Sequence, residues 1–594
     1  DGTAGGGRRL MRPPRMAASL RPLSLAILAA LAPLWLVGIF DRGLWTPDEP
    51  READIAWRMS GQADRALPEL AGTPFLEKPP LSYWAAGGAI SLWGDSAAAA
   101  RAPNLLYAAV TAVALGALAL AMTGDGAAAF LAALVGASAL TAYRVSIWLA
   151  PDSALLAGCA VALLGVWYGY RAPPGRAKAL GYALMHLGAA AAFMAKSAPG
   201  WLVPGLTLLT LVAWEGRWRE LRRWELYAGL LIQALIIGPW VIAVAHSAHG
   251  ADALRTLFWY NLVGRFVHVP APAALDYSSG HHNFPGKYLF ELPLYLLPWT
   301  LLLVAALRRA WRRVRAPQEA ATPWRFAISA SLPLLVLLSV AETARDVYAA
   351  PALLGFALLI GLWAHEAARA PTQLDSLALS GTRLLVAVMA VALIGLLAVL
   401  GAAQAVAART CLIAAIAAGG AAAAALWRAA QAQRRGGLTR TVVWSYGAYA
   451  AALYLSALAV LPVIDRWQDL PELARRIHDD TRSEALALLD PDETTIAMLD
   501  HGLNTPFAIL TTRGREPARA VSAWLTSHGE SARVLVLLPG HAPGRVTQLL
   551  ARVHPSDAPG DGVAASLAAA GAAGIVRRYE LPQGRRYALL GPAR

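Results

Sequence analysis

Apolar runs long enough to cross a bilayer recur along most of the chain, separated by short links rich in arginine. A spanning helix needs roughly 17–25 predominantly apolar residues, because inside the hydrocarbon every backbone N–H and C=O must be satisfied within the segment. Hydropathy marks thirteen such runs, at about 22–40, 97–122, 126–142, 152–170, 179–195, 198–214, 225–246, 288–308, 325–340, 347–365, 383–405, 409–428 and 442–463. Charge offers an independent check, since cytoplasmic links carry an excess of Lys and Arg. With Arg8, Arg9, Arg12, Arg15 and Arg21 inside, four of the even-numbered runs return inward at strongly cationic links. These hold Arg171, Arg176 and Lys178; Arg217, Arg219, Arg222 and Arg223; Arg308, Arg309, Arg312, Arg313 and Arg315; and Arg428, Arg434, Arg435 and Arg440. The short outer links hold at most one cation each, so hydropathy and charge bias agree. The run Leu23–Phe40 is long for a signal-peptide core and lacks a clear small-residue cleavage site, which predicts a retained first span.

Only 15% of the 594 residues are charged and 57% are hydrophobic, well short of the charge a soluble domain carries. The net charge of +14 does not imply nucleic acid, because the cations sit in the links, where anionic lipid and topology account for them. Both cysteines, Cys159 and Cys411, lie inside apolar runs, and no disulfide is expected.

The pattern predicts an all-α polytopic membrane protein with a small C-terminal soluble α/β domain. Residues 1–21 form a basic cytoplasmic N-terminus, 22–465 a transmembrane domain with outer loops 41–96 and 247–287, and 466–594 the α/β domain on the outer side. In that last part, helices are expected over Leu470–Leu489, Ala518–Thr526 and Val546–Val553, and strands over Thr494–Leu499, Ala508–Thr512, Arg533–Leu538 and Tyr587–Leu590.

The chemistry-bearing residues gather at the outer ends of the runs. Trp45-Thr46-Pro47-Asp48-Glu49-Pro50-Arg51-Glu52-Ala53-Asp54-Ile55 packs four carboxylates and an arginine into eight residues directly after the first run. Pro50 suits a first helical turn, which sets Asp48 at or just before a helix N-terminus, where the helix dipole favours an anion. A helix cap with a solvated face is the bland reading; the company Asp48 keeps favours a site. That company comprises Lys78, held before two prolines in Glu77-Lys78-Pro79-Pro80 with Tyr83-Trp84 following, and Asp152 in Pro151-Asp152-Ser153. Lys196 stands between two apolar runs, and Arg265 ends the aromatic stretch Phe258-Trp259-Tyr260-Asn261-Leu262-Val263-Gly264-Arg265. Singly, Asp152 reads best as an N-cap and Lys78 equally well as a snorkelling lysine. Together, carboxylates and cations at one membrane face describe a site for an anionic head group on a lipid tail.

These motifs, in this order, resemble the bacterial aminoarabinose transferases and, more broadly, the polyprenyl-phosphate-dependent GT-C glycosyltransferases that include protein O-mannosyltransferases. The resemblance implies a transferase, inverting at the sugar carbon, that takes a sugar from a polyprenyl (undecaprenyl) phosphate to lipid A, a cell-envelope glycan or a protein. It places the enzyme in the bacterial inner membrane with the active site and the C-terminal domain periplasmic. It implies catalytic roles for Asp48, Glu49 and Asp152, substrate binding by Arg51, Lys78, Tyr83, Lys196 and Arg265, and a divalent metal ion at Glu77. The aromatic stretch offers Asn261 and no histidine as a second ligand, with His281 and His282 the nearest in sequence. A transporter or lipid flippase is the rival reading. It calls for polar groups through the depth of the membrane and paired repeats, and neither is visible here.

Overall fold

The thirteen apolar runs all fall on helices in the computed structural model. It describes residues 13–593 except 63–64, 248, 264–283, 342–344, 404, 504–505, 513–515 and 539–561. Among the described residues, eight helices are long and apolar enough to cross a membrane, or up to ten if each of two bent pairs counts as one span. The protein is therefore an integral membrane protein of mostly helical fold. The remaining runs are shorter or more polar helices, such as Arg176–Lys196 and Pro199–Glu215.

The bent pairs were not foreseen. Gly126–Ser138 meets Leu140–Ile147 at 65°, and Lys287–Tyr295 meets Thr300–Arg313 at 118°. Each break leaves backbone groups that the helix no longer satisfies, and the two breaks answer each other. The Leu140 N–H donates to the Leu297 carbonyl at 2.9 Å. The indole N–H of fully buried Trp299 donates to Ser138 Oγ at 3.0 Å. Irregular backbone is tolerated at membrane depth only when protein groups satisfy it in this way.

The chain divides into two compact units, and each is described by itself. The first holds residues up to Asp41, Leu76–Ala85 and Arg101–Ala459. Its tightest element is the antiparallel pair Asp152–Arg171 and Arg176–Lys196. A Cβ on Gly165 would stand 2.1 Å from the Met185 nitrogen, one on Gly181 2.3 Å from the Gly169 nitrogen, and one on Gly188 2.4 Å from the Ala162 nitrogen. Hydrocarbon lipid gives helices no hydrophobic reason to associate, so backbone approach through small residues supplies the packing. The register this sets brings Asp152, first in one helix, beside Lys196, last in the other. At the opposite end of the pair, buried Lys178 donates to the Gly169 carbonyl at 2.7 Å and pairs with Glu220, which also accepts from Tyr182 Oη at 2.6 Å.

The second unit holds Arg42–Phe75, Ala86–Ala100 and Val460–Arg594. A short antiparallel pair, β1 (Glu69–Leu70) and β2 (Thr73–Pro74), lies in its first segment. Its last segment contains β3 (Ala485–Leu489), β4 (Ala508–Leu510), β5 (Ala532–Leu537), β6 (Gly574–Glu580) and β7 (Arg586–Gly591) in one sheet, ordered β4-β3-β5-β7-β6. β3 runs parallel to β4 and β5, whereas β7 is antiparallel to both β5 and β6. Both faces are covered. Leu486 and Leu488 pack with Leu473, Ile477 and Leu499 on one side, while Ala487 and Leu489 pack with Val521, Leu525 and Leu567 on the other.

Two sequence expectations are corrected here. The helix expected over Leu470–Leu489 ends at Thr481, and Ala485–Leu489 is the interior strand β3. Ala-Leu-Ala-Leu-Leu favours a helix by propensity, but burial on both faces of a sheet rewards an uninterrupted apolar strand. The strand expected over Thr494–Leu499 is instead part of the helix Glu493–Leu503. Its β-branched Thr494, Thr495 and Ile496 suggested a strand, but Asp492 Oδ1 accepts from the Thr495 N–H at 3.0 Å and starts a helix. Strand β6 was not anticipated, and the helix expected over Val546–Val553 lies outside the described residues.

Candidate active site

Asp48 stands at the N-cap position of the helix Glu49–Gly61, with Pro50 in its first turn. Its carboxylate makes no capping hydrogen bond; Oδ1 instead accepts from Arg51 Nη2 at 3.3 Å. Arg51 is shared among three acids, donating also to Glu52 at 2.7 Å and to Glu493. Glu49 is fully buried, bound by both terminal nitrogens of Arg42 at 2.5 and 2.8 Å, and accepts from the Trp45 N–H at 2.8 Å. Pairing two desolvated charges with two-point geometry is the arrangement that makes their burial tolerable. Within the second unit the helix that follows comes close to Gly87, where a Cβ would lie 2.7 Å from the Ala56 carbonyl oxygen.

One turn beyond Arg51 the same helix buries Asp54 completely. Its Oδ1 has no hydrogen-bond donor among the described residues, while Oδ2 accepts from the Ala71 N–H at 3.3 Å. Asp500 lies against it, held by Arg58 at 2.6 and 2.5 Å. Burial, then the hydrogen bond and negative charge of Asp500, push the Asp54 carboxyl up to about 8 against the opposing pull of Ala71 and Arg58. Asp54 accordingly keeps its proton to a higher pH than a free aspartate does. An unfolded aspartate titrates near 3.8, so the folded chain holds an extra proton between these values. The resulting stabilisation is complete below about pH 4 and is lost as pH rises through about 8. Thermal unfolding of the full-length protein is thus expected to show the melting temperature falling by several degrees from pH 6 to 9. Asp54→Asn should flatten that slope; an unaltered slope in the variant would exclude Asp54 as its source.

In the first unit, Asp152 is not the N-cap of its helix. It is the first helical residue, buried, and Oδ1 accepts from Lys196 Nζ at 2.5 Å. Side-chain exposures of 10% for Asp152 and 12% for Lys196 make this a largely desolvated pair. Each charge also suits its own helix, a carboxylate at an N-terminus and an ammonium at a C-terminus. Lys196 Nζ further lies 4.8 Å from the centre of the Tyr348 ring, a cation–π distance. Lys78 is mostly buried and lies 4.0 Å from Glu77, while Tyr83 is buried in the first turn of Leu81–Trp93. Arg265, His281 and His282 lie outside the described residues. Among the described residues no group of three or more His, Cys, Asp or Glu is placed to hold a metal ion, and Glu77 has a cation for its neighbour. Among the described residues, the groups around Glu77 do not make up the ligand set of a divalent metal.

The structure thus pairs Asp48 with Arg51, Asp152 with Lys196 and Glu77 with Lys78. Sequence reasoning missed Tyr348 and the neighbouring Arg144–Asp346 pair. It also missed Glu493, which reads on its own as an ordinary helix-start acid. Polar residues crowd the start of an apolar run in Asp346-Val347-Tyr348, a signal similar to the one that singled out Asp152.

A protein-family model described as dolichyl-phosphate-mannose-protein mannosyltransferase matches residues 23–254. An undecaprenyl phosphate-alpha-4-amino-4-deoxy-L-arabinose arabinosyl transferase of Pseudomonas paraeruginosa is 31% identical over 362 residues, covering 60% of this chain and 62% of the relative. Its counterpart in Pseudomonas aeruginosa (strain UCBPP-PA14) is 31% identical over 363 residues, with 60% and 62% covered. The matched region spans less than two thirds of the length of these relatives. Among solved structures, ArnT from Cupriavidus metallidurans bound to undecaprenyl phosphate superposes with a TM-score of 0.67 at 17% identity, over 98% of each chain. The fold is therefore shared with that protein across nearly the full chain, and the resemblance drawn from the motifs is borne out.

Proposed function

We infer that this chain is a polyprenyl-phosphate-dependent glycosyltransferase of the aminoarabinose transferase type. It crosses the bacterial inner membrane thirteen times, and the site and the C-terminal α/β region lie on the periplasmic side. One observation carries the reading most: the 23–254 family match contains Asp48, Lys78, Asp152 and Lys196, the residues that charge and placement single out. Nucleotide sugars are absent outside the cytoplasm, so a lipid-linked donor is also the chemically sensible one.

In this reading Lys78 and Arg265 hold the phosphodiester of the donor, and Lys196 adds positive field. As the sugar C1–O bond breaks, the electron pair stays with the leaving polyprenyl phosphate, and cations already in place stabilise the growing charge. Asp48 orients an acceptor hydroxyl on the opposite face of the sugar and takes its proton, which inverts C1. A phosphate acceptor on lipid A needs no base, and Asp48 then orients the sugar. Arg51, which touches Asp48 and serves three acids, holds Asp48 in this reading, and Glu49, bound by Arg42 and the Trp45 N–H, orders the chain leading to it.

The similarity to named transferases favours this over a transporter. Full-length protein in proteoliposomes, given radiolabelled undecaprenyl-phosphate-linked aminoarabinose and an acceptor panel of lipid A, glycan and protein, is expected to move label onto one acceptor and release undecaprenyl phosphate. Label that crosses the bilayer still bound to its carrier would identify a transporter instead. Label that stays on its carrier and on its side of the bilayer would overturn the transferase reading.

A further inference from the structure

The segment that delivers Asp48 has almost no secondary structure of its own. Residues 42–48 precede the helix and Pro47 interrupts them, so their backbone polar groups must find partners elsewhere. Glu49 serves Arg42 and the Trp45 N–H locally, and further partners come from the C-terminal part of the chain, within the same compact unit. Asp465 Oδ1 accepts from the Gly43 N–H at 2.9 Å and from the Trp45 indole at 2.7 Å. Gln468 Oε1 accepts from both the N–H and the hydroxyl of Thr46, each at 2.8 Å. Thr494 Oγ1 donates to the Pro47 carbonyl at 3.2 Å, and Glu493 pairs with Arg51, the residue that touches Asp48. Partners thus flank Asp48 on both sides, and all four come from more than 400 positions away.

We propose that the C-terminal region is a clamp for the reaction centre, in which Asp465, Gln468, Glu493 and Thr494 are positioning residues that fix the Asp48 carboxylate relative to its substrate. The inference rests on Asp48 acting in transfer, as set out above. It gives the C-terminal region a task in the chemistry: a loop tied locally at Arg42 and Trp45 is held further by side chains at the end of the helix Leu438–Trp467, just beyond it, and at the start of the helix Glu493–Leu503. A misplacement of about 1 Å at a reacting group can cost on the order of 100-fold in rate, so such a clamp acts on turnover more than on binding.

The test uses full-length protein and radiolabelled undecaprenyl-phosphate-linked aminoarabinose. Gln468→Met and Glu493→Met, similar in length but without the acceptor oxygens, should each lower kcat by about 10–100-fold with donor KM changed less than about twofold. Gln468→Glu and Glu493→Asp, which keep acceptor oxygens, should recover most of the rate. Thr494→Val removes only a hydroxyl at constant shape; it should fold like the wild type by thermal unfolding and still lower kcat, even where a methionine variant fails to fold. Wild-type kcat in all three loss variants, or a loss carried by KM alone, would overturn the clamp. Asp48→Asn run alongside separates the two claims: if it is inactive while the clamp variants turn over normally, only the clamp falls. If Asp48→Asn itself transfers sugar at the wild-type rate, the reading beneath it falls.

Discussion

Asp48→Asn is expected to reduce transfer to a hydroxyl acceptor by about 10²–10⁴-fold, the range lost when a positioned general base is removed. The structure explains why folding should survive. Asn has the size of Asp, and the Asp48 carboxylate does not cap its helix, so no capping bond is forfeited. Arg51 loses its longest acid contact, 3.3 Å, and keeps Glu52 and Glu493. Asn still presents an oxygen to Arg51 but cannot take a proton. The loss should therefore appear in kcat with donor KM little changed. With a phosphate acceptor the same substitution should cost much less, because no hydroxyl needs deprotonation. Comparing acceptors thus reports both the role of Asp48 and the chemistry of the acceptor. Wild-type turnover with every acceptor would remove Asp48 from the mechanism.

The second large effect concerns Asp152 and Lys196. Removing one member of a buried pair strands the other charge, at a cost of about 3–5 kcal/mol. Asp152→Ala alone is expected to destabilise the protein by about that much, because Lys196 sits at 12% exposure with, among the described residues, the Tyr348 ring as its other neighbour. The double variant Asp152→Leu with Lys196→Met replaces both charges with apolar groups and should recover most of the stability, as buried pairs commonly do when exchanged whole. Activity should not return if, as proposed, Lys196 supplies positive field at the donor phosphate. Thermal unfolding and transfer rate measured on the single and double variants separate the two effects. A double variant that is both stable and fully active would make the pair purely architectural.

Part of this was legible in the one-dimensional string. Apolar runs and the alternation of arginine-rich links specified a polytopic helical membrane protein, because a bilayer allows few alternatives to a helix with a hydrocarbon exterior. The motif order around Asp48, Lys78, Asp152, Lys196 and Arg265 specified the family resemblance, because ionisable groups at a membrane boundary are costly and are kept for a reason. Fine structure in the C-terminal region was less legible. Ala-Leu-Ala-Leu-Leu at Ala485–Leu489 and Thr-Thr-Ile at Thr494–Ile496 carry propensities opposite to the structures they adopt, and only burial in the sheet or an Asp492 cap decides between them.

What the tertiary structure alone decided is which charge meets which. Composition and spacing place Asp152 and Lys196 each at a helix end; only the glycine-mediated approach of two antiparallel helices, with its register, makes them partners. Likewise nothing local connects Thr46 to Gln468 or Arg51 to Glu493, which are separated by more than 400 residues. Runs of sequence encode solvent preference and dihedral preference, which act over a few residues. Hydrogen bonds and ion pairs depend on distances of about 3 Å between groups, and those distances exist only once the chain has packed.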